Sequence, residues 1–246
     1  MGSTLSAHWP GNPSTGADKL GQFDTVLFCC SLAKHSRADE ATWDSVLTRH
    51  LLFRALTRGE LQRPALPPEI VLLIFRSAQF VVPNSEPLTA VKQAEYVIRA
   101  HDSNVVRGEW FASEPMTAAS LKHIAALRLD TTSHHQGFVS DPNAGMWSWF
   151  EVGVSRPLPE NPAVYRLVEH METGEPLVWL SHENPLEARS ATQLCGKVFW
   201  PDHPLWTYLK PGDKVSVLVC AQYPAWRNHA LVGQIRSWRY FEPVLY

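Results

Sequence analysis

Side chains able to do acid–base chemistry cluster between residues 131 and 154, in the stretch TTSHHQGFVSDPNAGMWSWFEVGV. Histidine is the most common acid–base catalyst and glutamate supplies a carboxylate, so His134, His135 and Glu151 are the candidates for catalysis. Adjacent residues of a strand point to opposite faces, so the two histidines are not expected to ligate one ion. No H-E-x-x-H, C-x-x-C or G-x-S-x-G motif occurs, and we expect neither a metal nor a cofactor.

Aromatic residues accompany these polar groups. Trp147, Trp149 and Glu151 alternate with Ser148 and Phe150, so one strand face carries both tryptophans and the acid. That face is either a core face capped by Glu151, which we favour, or an exposed platform for a sugar or peptide. A second aromatic loop, QYPAWRNH at 222–229, either binds the same ligand or forms a hairpin turn. The candidate ligand-binding residues are Gln136, Phe138, Trp147, Trp149, Tyr223, Trp226, Asn228 and His229.

A third candidate lies upstream, in the segment LPPEIVLLIFRSAQF at 66–80. Paired prolines begin this predicted helix, whose apolar face carries Ile70, Leu73, Ile74 and Ala78. The segment resembles the opening of an F-box, and this resemblance covers about 15 residues. The resemblance implies docking to a Skp1-type adaptor of a ubiquitin ligase, whereas the alternative, which we favour, is a helix packed on the rest of the protein. The partner-binding residues it implies are Leu66, Pro67, Ile70 and Ile74.

The periodicity of apolar residues divides the chain. Residues 1–22 are rich in Gly, Pro, Ser and Thr and predict a flexible tail. Residues 23–100 are predicted to form a helical module, with a further helix or strand near 88–99. Short apolar segments of period two, separated by turn residues, fill 105–246. The expected fold is α+β, with an N-terminal helical segment packed on a C-terminal antiparallel, jelly-roll-like β-sandwich.

The central segment is similar to one in a group of fungal proteins of largely unassigned function. Their motif, Ser-His-Asp-Gln-Gly-Trp followed by Trp-x-Trp-Phe-Glu, matches residues 133–138 and 147–151, and their LPPE helix matches residues 66–70. Their final Gly-Asp…Ala-x-Tyr-Pro-x-Trp-x-Asn segment matches residues 212–228. This chain departs at His135, where the motif has Asp, and at Phe138, where it has Trp. A ligand contact through that Asp would therefore be absent here.

Composition excludes several classes of protein. The net charge of −2 offers no basic surface for nucleic acid, and no apolar run is long enough to span a membrane. Four cysteines do not make a disulfide framework, so we expect reduced thiols and a cytoplasmic or nuclear location. Gly2 fits the N-myristoylation template, but no second anchor follows and we do not expect lipidation.

Two functions remain in competition. The first is a non-enzymatic recognition protein whose aromatic edge binds a small molecule, glycan or peptide, with the helix at 66–80 docking an adaptor subunit. It predicts that the Trp147/Trp149 and Tyr223/Trp226 regions approach one another at one end of the sandwich. The second is a lyase, isomerase or cyclase with histidine as acid or base, which predicts a deep aromatic cavity beside His134 or His135.

Overall fold

The computed structural model describes residues 43–60, 62–137, 139, 145–186 and 190–243. The predicted flexible tail at 1–22 and the lipidation candidate Gly2 lie outside these residues. In chain order the elements are α1 (Trp43–Arg58), α2 (Pro68–Ser77), β1 (Val81–Pro83), β2 (Thr89–Arg99), β3 (Val106–Ala112), α3 (Ala118–His123), β4 (Ile124–His135), β5 (Ser148–Leu158), β6 (Asn161–Leu167), β7 (Val178–Glu183), β8 (Thr192–Phe199), α4 (Leu205–Tyr208), β9 (Lys214–Ala221) and β10 (Arg227–Tyr240).

The strands form two antiparallel sheets. In sheet 1, β10 pairs with β4 on one side and with both β1 and β2 on the other, and β8 extends the sheet beyond β4. In sheet 2, β9 lies between β3 and β5, and both β6 and β7 pair with β5. The predicted C-terminal antiparallel β-structure with a few helices is thereby confirmed.

Alternation along the strands builds the core between the sheets. Strands β4 and β5 direct every second side chain inward, as do β9 and β10 opposite or beside them. The inner apolar residues include Leu127, Leu129, Phe150, Val152, Val154, Val215, Val217, Val219, Ala230 and Ile235. Trp149 and Glu151 therefore point to the outer face of sheet 2. The expectation that their face forms the core is wrong, because Phe150 and Val152 occupy the core instead.

The edges of the two sheets approach one another on both sides. Strand β2 lies beside β3, where the Thr89 hydroxyl donates to the Ala112 carbonyl at 3.5 Å. On the other side β7 lies beside β8, and Gly196 leaves room for the Ser181 side chain. Neither sheet consequently presents a long open edge at these contacts.

Helices α1 and α2 pack on each other and on the C-terminal end of β10. Phe53 of α1 and Val71 and Phe75 of α2 are buried together with Phe241. A side-chain hydrogen bond from Arg49 to the Val81 carbonyl ties α1 to β1. The described part of the chain contains no helix long and apolar enough to cross a membrane.

The described helices of the N-terminal part end before residue 100, the predicted end of the helical module, and of the two alternatives for residues 88–99 the structure shows the strand. Within the described part of that module the last helix ends at Ser77, and residues 81–83 and 89–99 are strands of sheet 1. In β2, Tyr96 and Ile98 pack on the core while Val97 is exposed, which is the alternation of a strand. Pairing with β10 satisfies the backbone of this segment, so tertiary contacts decide its conformation.

Candidate functional site

Several loops converge at one end of the sandwich, here called the loop end: residues 100–105, 136–137, 145–147, 184–186 and 222–226. The Gln222 N–H donates to the Trp147 carbonyl at 3.0 Å, which joins the β9–β10 turn to the segment before β5. The Ala100 N–H donates to the Trp226 carbonyl at 3.0 Å, which joins the same turn to the end of β2. Backbone hydrogen bonds thus hold the loops in fixed relative positions.

Aromatic residues from separate loops meet there. Trp147 and Tyr223 form an edge-on pair with ring centroids 4.5 Å apart, and Tyr223 is 37% exposed. The ring centroids of Trp226 and His135 lie 5.9 Å apart. Gln136 accepts a hydrogen bond from the Arg227 N–H through Oε1 at 3.2 Å. The structure therefore brings together four of the predicted ligand-binding residues, while Phe138 lies outside the described residues.

The β9–β10 turn carries backbone strain beside these rings. Tyr223 and Ala225 have φ values of 70° and 74°, in the left-handed region that residues with a Cβ rarely adopt. The Ala225 N–H donates to the Ala100 carbonyl at 3.3 Å, so contacts with the β2 end hold this conformation. Strain of this kind persists where surrounding structure imposes it, and it concentrates at ligand-binding sites.

A buried hydrogen-bond network supports the loop end from inside the sandwich. Asn184, which follows β7, accepts from the Ser133 hydroxyl at 2.8 Å. Its amide nitrogen lies 3.0 Å from the Ser148 hydroxyl and 2.9 Å from Oδ1 of Asn228. The amide of Asn228 in turn donates to the carbonyls of Trp149, at 2.8 Å, and Cys220, at 3.2 Å. Four strands and a loop are joined in this way.

Asn228 is therefore misplaced among the predicted ligand-binding residues. It is fully buried, and its side-chain oxygen and nitrogen bond to protein groups. Burial of an amide requires such partners, so its role is to hold β10 against β5 and β9. At this position the hairpin interpretation of the 222–229 segment applies, because the Asn228 side chain satisfies backbone carbonyls of the neighbouring strands.

His182 belongs to the same network and was not foreseen from the sequence. Its Nε2 lies 2.8 Å from the Thr131 hydroxyl and its Nδ1 lies 3.0 Å from the Ser181 hydroxyl. Its ring stacks on Phe150 at 5.0 Å. Burial lowers the pKa of His182 to about 3, so the ring is neutral at physiological pH. The pairing of β7 with β5 places His182 against Phe150 in the sandwich interior. No local sequence pattern indicates this pairing.

His135 is a buried imidazole with a partner on each nitrogen. Nε2 donates to the Leu186 carbonyl at 3.1 Å, and Nδ1 accepts from the Gly137 N–H at 3.1 Å. Gly137 has a φ of 78°, a conformation that glycine adopts without strain. Burial lowers the pKa of His135, which favours the neutral ring. These contacts are those of a histidine that anchors the turn after β4.

Glu151 lies on the outer face of sheet 2, away from both histidines of the segment. It accepts from Arg107 Nε and from Trp149 Nε1, each at 2.8 Å. Because His135 points inward from sheet 1 and His134 outward, the structure does not bring His134, His135 and Glu151 into one site. Trp149 is likewise directed away from the Trp147–Tyr223 pair, since its indole is held by Glu151.

Neither of the two cysteines in the described part of the chain offers a nucleophile at this site. Cys220 is a buried free thiol behind Glu151, and burial together with that carboxylate raises its pKa. Cys195 is disulfide-bonded. The expectation of reduced thiols thus holds at Cys220 and is wrong at Cys195.

The remaining two predicted residues meet on the outer face of sheet 1, at the same end of the sandwich. His134 of β4 and His229 of β10 are directly paired across the strands. Their rings stack at 4.5 Å with an interplanar angle of 10°, and Glu95 of β2 lies beside both. They are therefore separated from the aromatic pair by the thickness of sheet 1.

A cavity of about 90 Å³ lies on sheet 1 near β1, lined by Pro83, Asn84, Arg236, Ser237 and Trp238. It is small beside the roughly 300–1,000 Å³ typical of small-molecule sites, and neither His134 nor His135 lines it. The deep aromatic cavity beside His134 or His135 stays a prediction.

Helix α2 packs on the rest of the protein, as the favoured alternative expects, through Val71 and Phe75, which are buried against α1 and Phe241. Of the partner-binding candidates, Leu66 packs against the same cluster. Ile70, Leu73 and Ile74 are 43%, 58% and 44% exposed, and Pro67 is exposed as well. The candidates Pro67, Ile70 and Ile74 therefore lie on the face that does not pack.

Comparison with known proteins adds no relative. No protein-family model matches the chain, and no curated protein is similar to it in sequence.

Proposed function

We propose that the chain is a recognition protein whose loop end binds a glycan or an extended peptide. The contact between Trp147 and Tyr223 carries this proposal, because it places a half-exposed aromatic surface across two loops. Aromatic rings bind such ligands with large contact area at low entropic cost, and the hydroxyl of Tyr223 adds a polar group. The strained turn and the buried asparagine network keep that surface preorganised, which lowers the entropic cost of binding.

The strand order supports a jelly-roll-like sandwich as the scaffold. Leaving β1 and β6 aside, sheet 1 has the order β2-β10-β4-β8 and sheet 2 the order β3-β9-β5-β7. Apart from β5 and β7, which both lie in sheet 2, successive strands of this set alternate between the sheets, as in a double-sheet jelly roll. Such crossings gather connecting loops at the ends of the sandwich, where ligand-binding residues are commonly located.

Binding at the loop end is tested with immobilised glycan and peptide libraries probed by the full chain. We expect a hit from one library, and the Tyr223→Ala variant should bind it at least about tenfold more weakly. Tyr165→Ala is the matched control, because Tyr165 lies on β6 at the far end of β5. Equal losses in both variants, or none in Tyr223→Ala, would contradict a site at the loop end.

The exposed face of α2 favours a second, compatible function as a ubiquitin-ligase-type adaptor. Ile70, Leu73 and Ile74 form an unpaired apolar stripe, and Leu47, Leu51 and Leu52 of α1 are exposed nearby in the same helix pair. Apolar stripes of this spacing dock into grooves of partner proteins. The proposed partner is a Skp1-type subunit, which agrees with the F-box-like opening at Leu66 and Pro67. A cytoplasmic or nuclear location belongs to the same proposal.

Co-purification with a Skp1-type subunit tests the adaptor function. The wild-type chain should retain the subunit, and Ile70→Asp and Ile74→Asp should each abolish retention by placing a charge on the docking stripe. Met171→Asp, in a fully exposed turn, is the control. If the wild-type chain fails to retain the subunit, α2 has no adaptor role.

A further inference from the structure

Three side chains from adjacent strands converge on the outer face of sheet 1: Glu95 of β2, His229 of β10 and His134 of β4. We propose that they form a binding site for a zinc-type divalent transition metal. The site is independent of what the loop end binds, and it departs from the expectation, based on sequence, that the chain holds no metal.

The distances suit coordination. His229 Nδ1 and His134 Nε2 lie 2.6 Å and 3.8 Å from Glu95 Oε1, and one ligand atom from each residue lies within 4.8 Å of the other two. Ligands of a tetrahedral zinc ion with bonds of about 2.0–2.1 Å lie about 3.3 Å from one another. The two distances to Glu95 bracket that value, so small side-chain rotations accommodate the ion.

The tautomer of His134 also suits coordination. Its Nδ1 lies 2.6 Å from the His135 carbonyl oxygen, which can only accept a hydrogen bond. Nδ1 therefore carries a proton, which leaves Nε2, on the side of Glu95, as the ring nitrogen available to a metal. A backbone carbonyl that fixes the second nitrogen is the usual arrangement around metal-binding histidines.

The donor set indicates which class of metal the site would bind. Two imidazoles with one carboxylate suit zinc rather than Mg²⁺ or Ca²⁺, which take sets of oxygen ligands. Three protein ligands leave a fourth position for water or a ligand.

The three strands fix the geometry of the site. His134 and His229 are cross-strand partners, and Glu95 extends from β2 on the other side of β10. Sites on paired strands are held more rigidly than sites on loops. A bound ion would link β2, β10 and β4, and it would stabilise the folded chain by mass action.

Calorimetric titration of the tag-free, full-length chain with Zn²⁺ at neutral pH tests the proposal. We expect one ion per chain, with binding weakened at least about tenfold in His134→Gln and in His229→Gln. His101→Gln removes an exposed histidine outside the cluster and should leave binding unchanged. An excess of Mg²⁺ or Ca²⁺ should not displace the zinc.

Thermal unfolding supplies a second readout. Zn²⁺ should raise the Tm of the wild type and of His101→Gln but not that of the two cluster variants, whose Tm without metal should match the wild type. Absence of zinc binding by the wild type would overturn the proposal. Equal affinity and an equal Tm rise in His134→Gln and His229→Gln would overturn it as well.

Discussion

Single buried polar residues organise the loop end. Asn184 and Asn228 connect the sheets through side-chain hydrogen bonds, and His135 and His182 act as neutral imidazoles. In a low-dielectric interior such groups stabilise one arrangement because each needs its partner. The aromatic surface formed by Trp147 and Tyr223 therefore depends on residues that contact no ligand.

Removing one asparagine should destabilise the whole domain. Asn228→Ala deletes three hydrogen bonds and leaves buried partners unsatisfied, so we expect a loss of about 2–4 kcal/mol in the free energy of unfolding. Urea unfolding measures it, with exposed Asn104→Ala as a control that should change by less than about 0.5 kcal/mol. The double variant with Asn184→Ala should cost less than the sum of the two single losses. Additive losses would show that the two amides are not coupled.

Burial of His182 predicts acid sensitivity. The pKa of His182 in the folded chain, about 3, lies below the ordinary histidine pKa of 6.5, so folding favours the neutral ring. The stability contributed is complete above pH 6.5 and is lost as the pH falls from there toward 3. His182→Gln should lose less unfolding free energy between neutral and acidic pH than the wild type, although His135 leaves part of the dependence. Urea titrations across that range measure it, and an unchanged dependence would contradict burial of the ring.

At the scale of single elements, the two faces of α2 have different environments. Phe75 and Val71 pack on α1 and on Phe241, while Ile70 and Ile74 face outward. Phe75→Ala should therefore cost about 3–5 kcal/mol in unfolding free energy, whereas Ile74→Ala should change it by less than about 0.5 kcal/mol. Chemical denaturation distinguishes them. A large loss at Ile74 would show that its face is covered in the folded protein.

The elements were predicted better from the sequence than the contacts between them. Alternating apolar residues indicated the strands around Trp149 and Val217, and paired prolines indicated the start of α2. The buried faces were not predicted correctly, because α2 carries large apolar residues on both faces and the two tryptophans Trp147 and Trp149 favoured the outer face of β5 as the core face. Glu95 lies beside the two histidines, and Asn184 lies in the buried network, because β2 and β7 pair with strands that are distant in sequence. Such pairing depends on the topology of the fold, which no local sequence pattern indicates.

On the scale of the whole molecule, β10 separates the two proposed binding surfaces. Its N-terminal end carries Asn228 and His229 at the loop end, and its C-terminal end leads into Phe241 beneath the helices. A strand of 14 residues spans about 45 Å. A ligand at one end therefore leaves the other end accessible, as an adaptor that presents a bound target requires.

This separation predicts independent binding. Tyr223→Ala should lose the loop-end ligand and still retain the Skp1-type subunit, whereas Ile74→Asp should show the opposite pattern. Measuring both interactions on both variants tests the arrangement. Loss of both interactions in a variant that keeps the wild-type Tm would mean that the two surfaces are one.

Hydrogen exchange with and without the captured glycan or peptide tests the central proposal most directly. Binding at the loop end predicts new protection in residues 222–226 and 145–147, with β6 at the opposite end of β5 unchanged. Protection confined to β6 or to α2, with residues 222–226 unaffected, would contradict it.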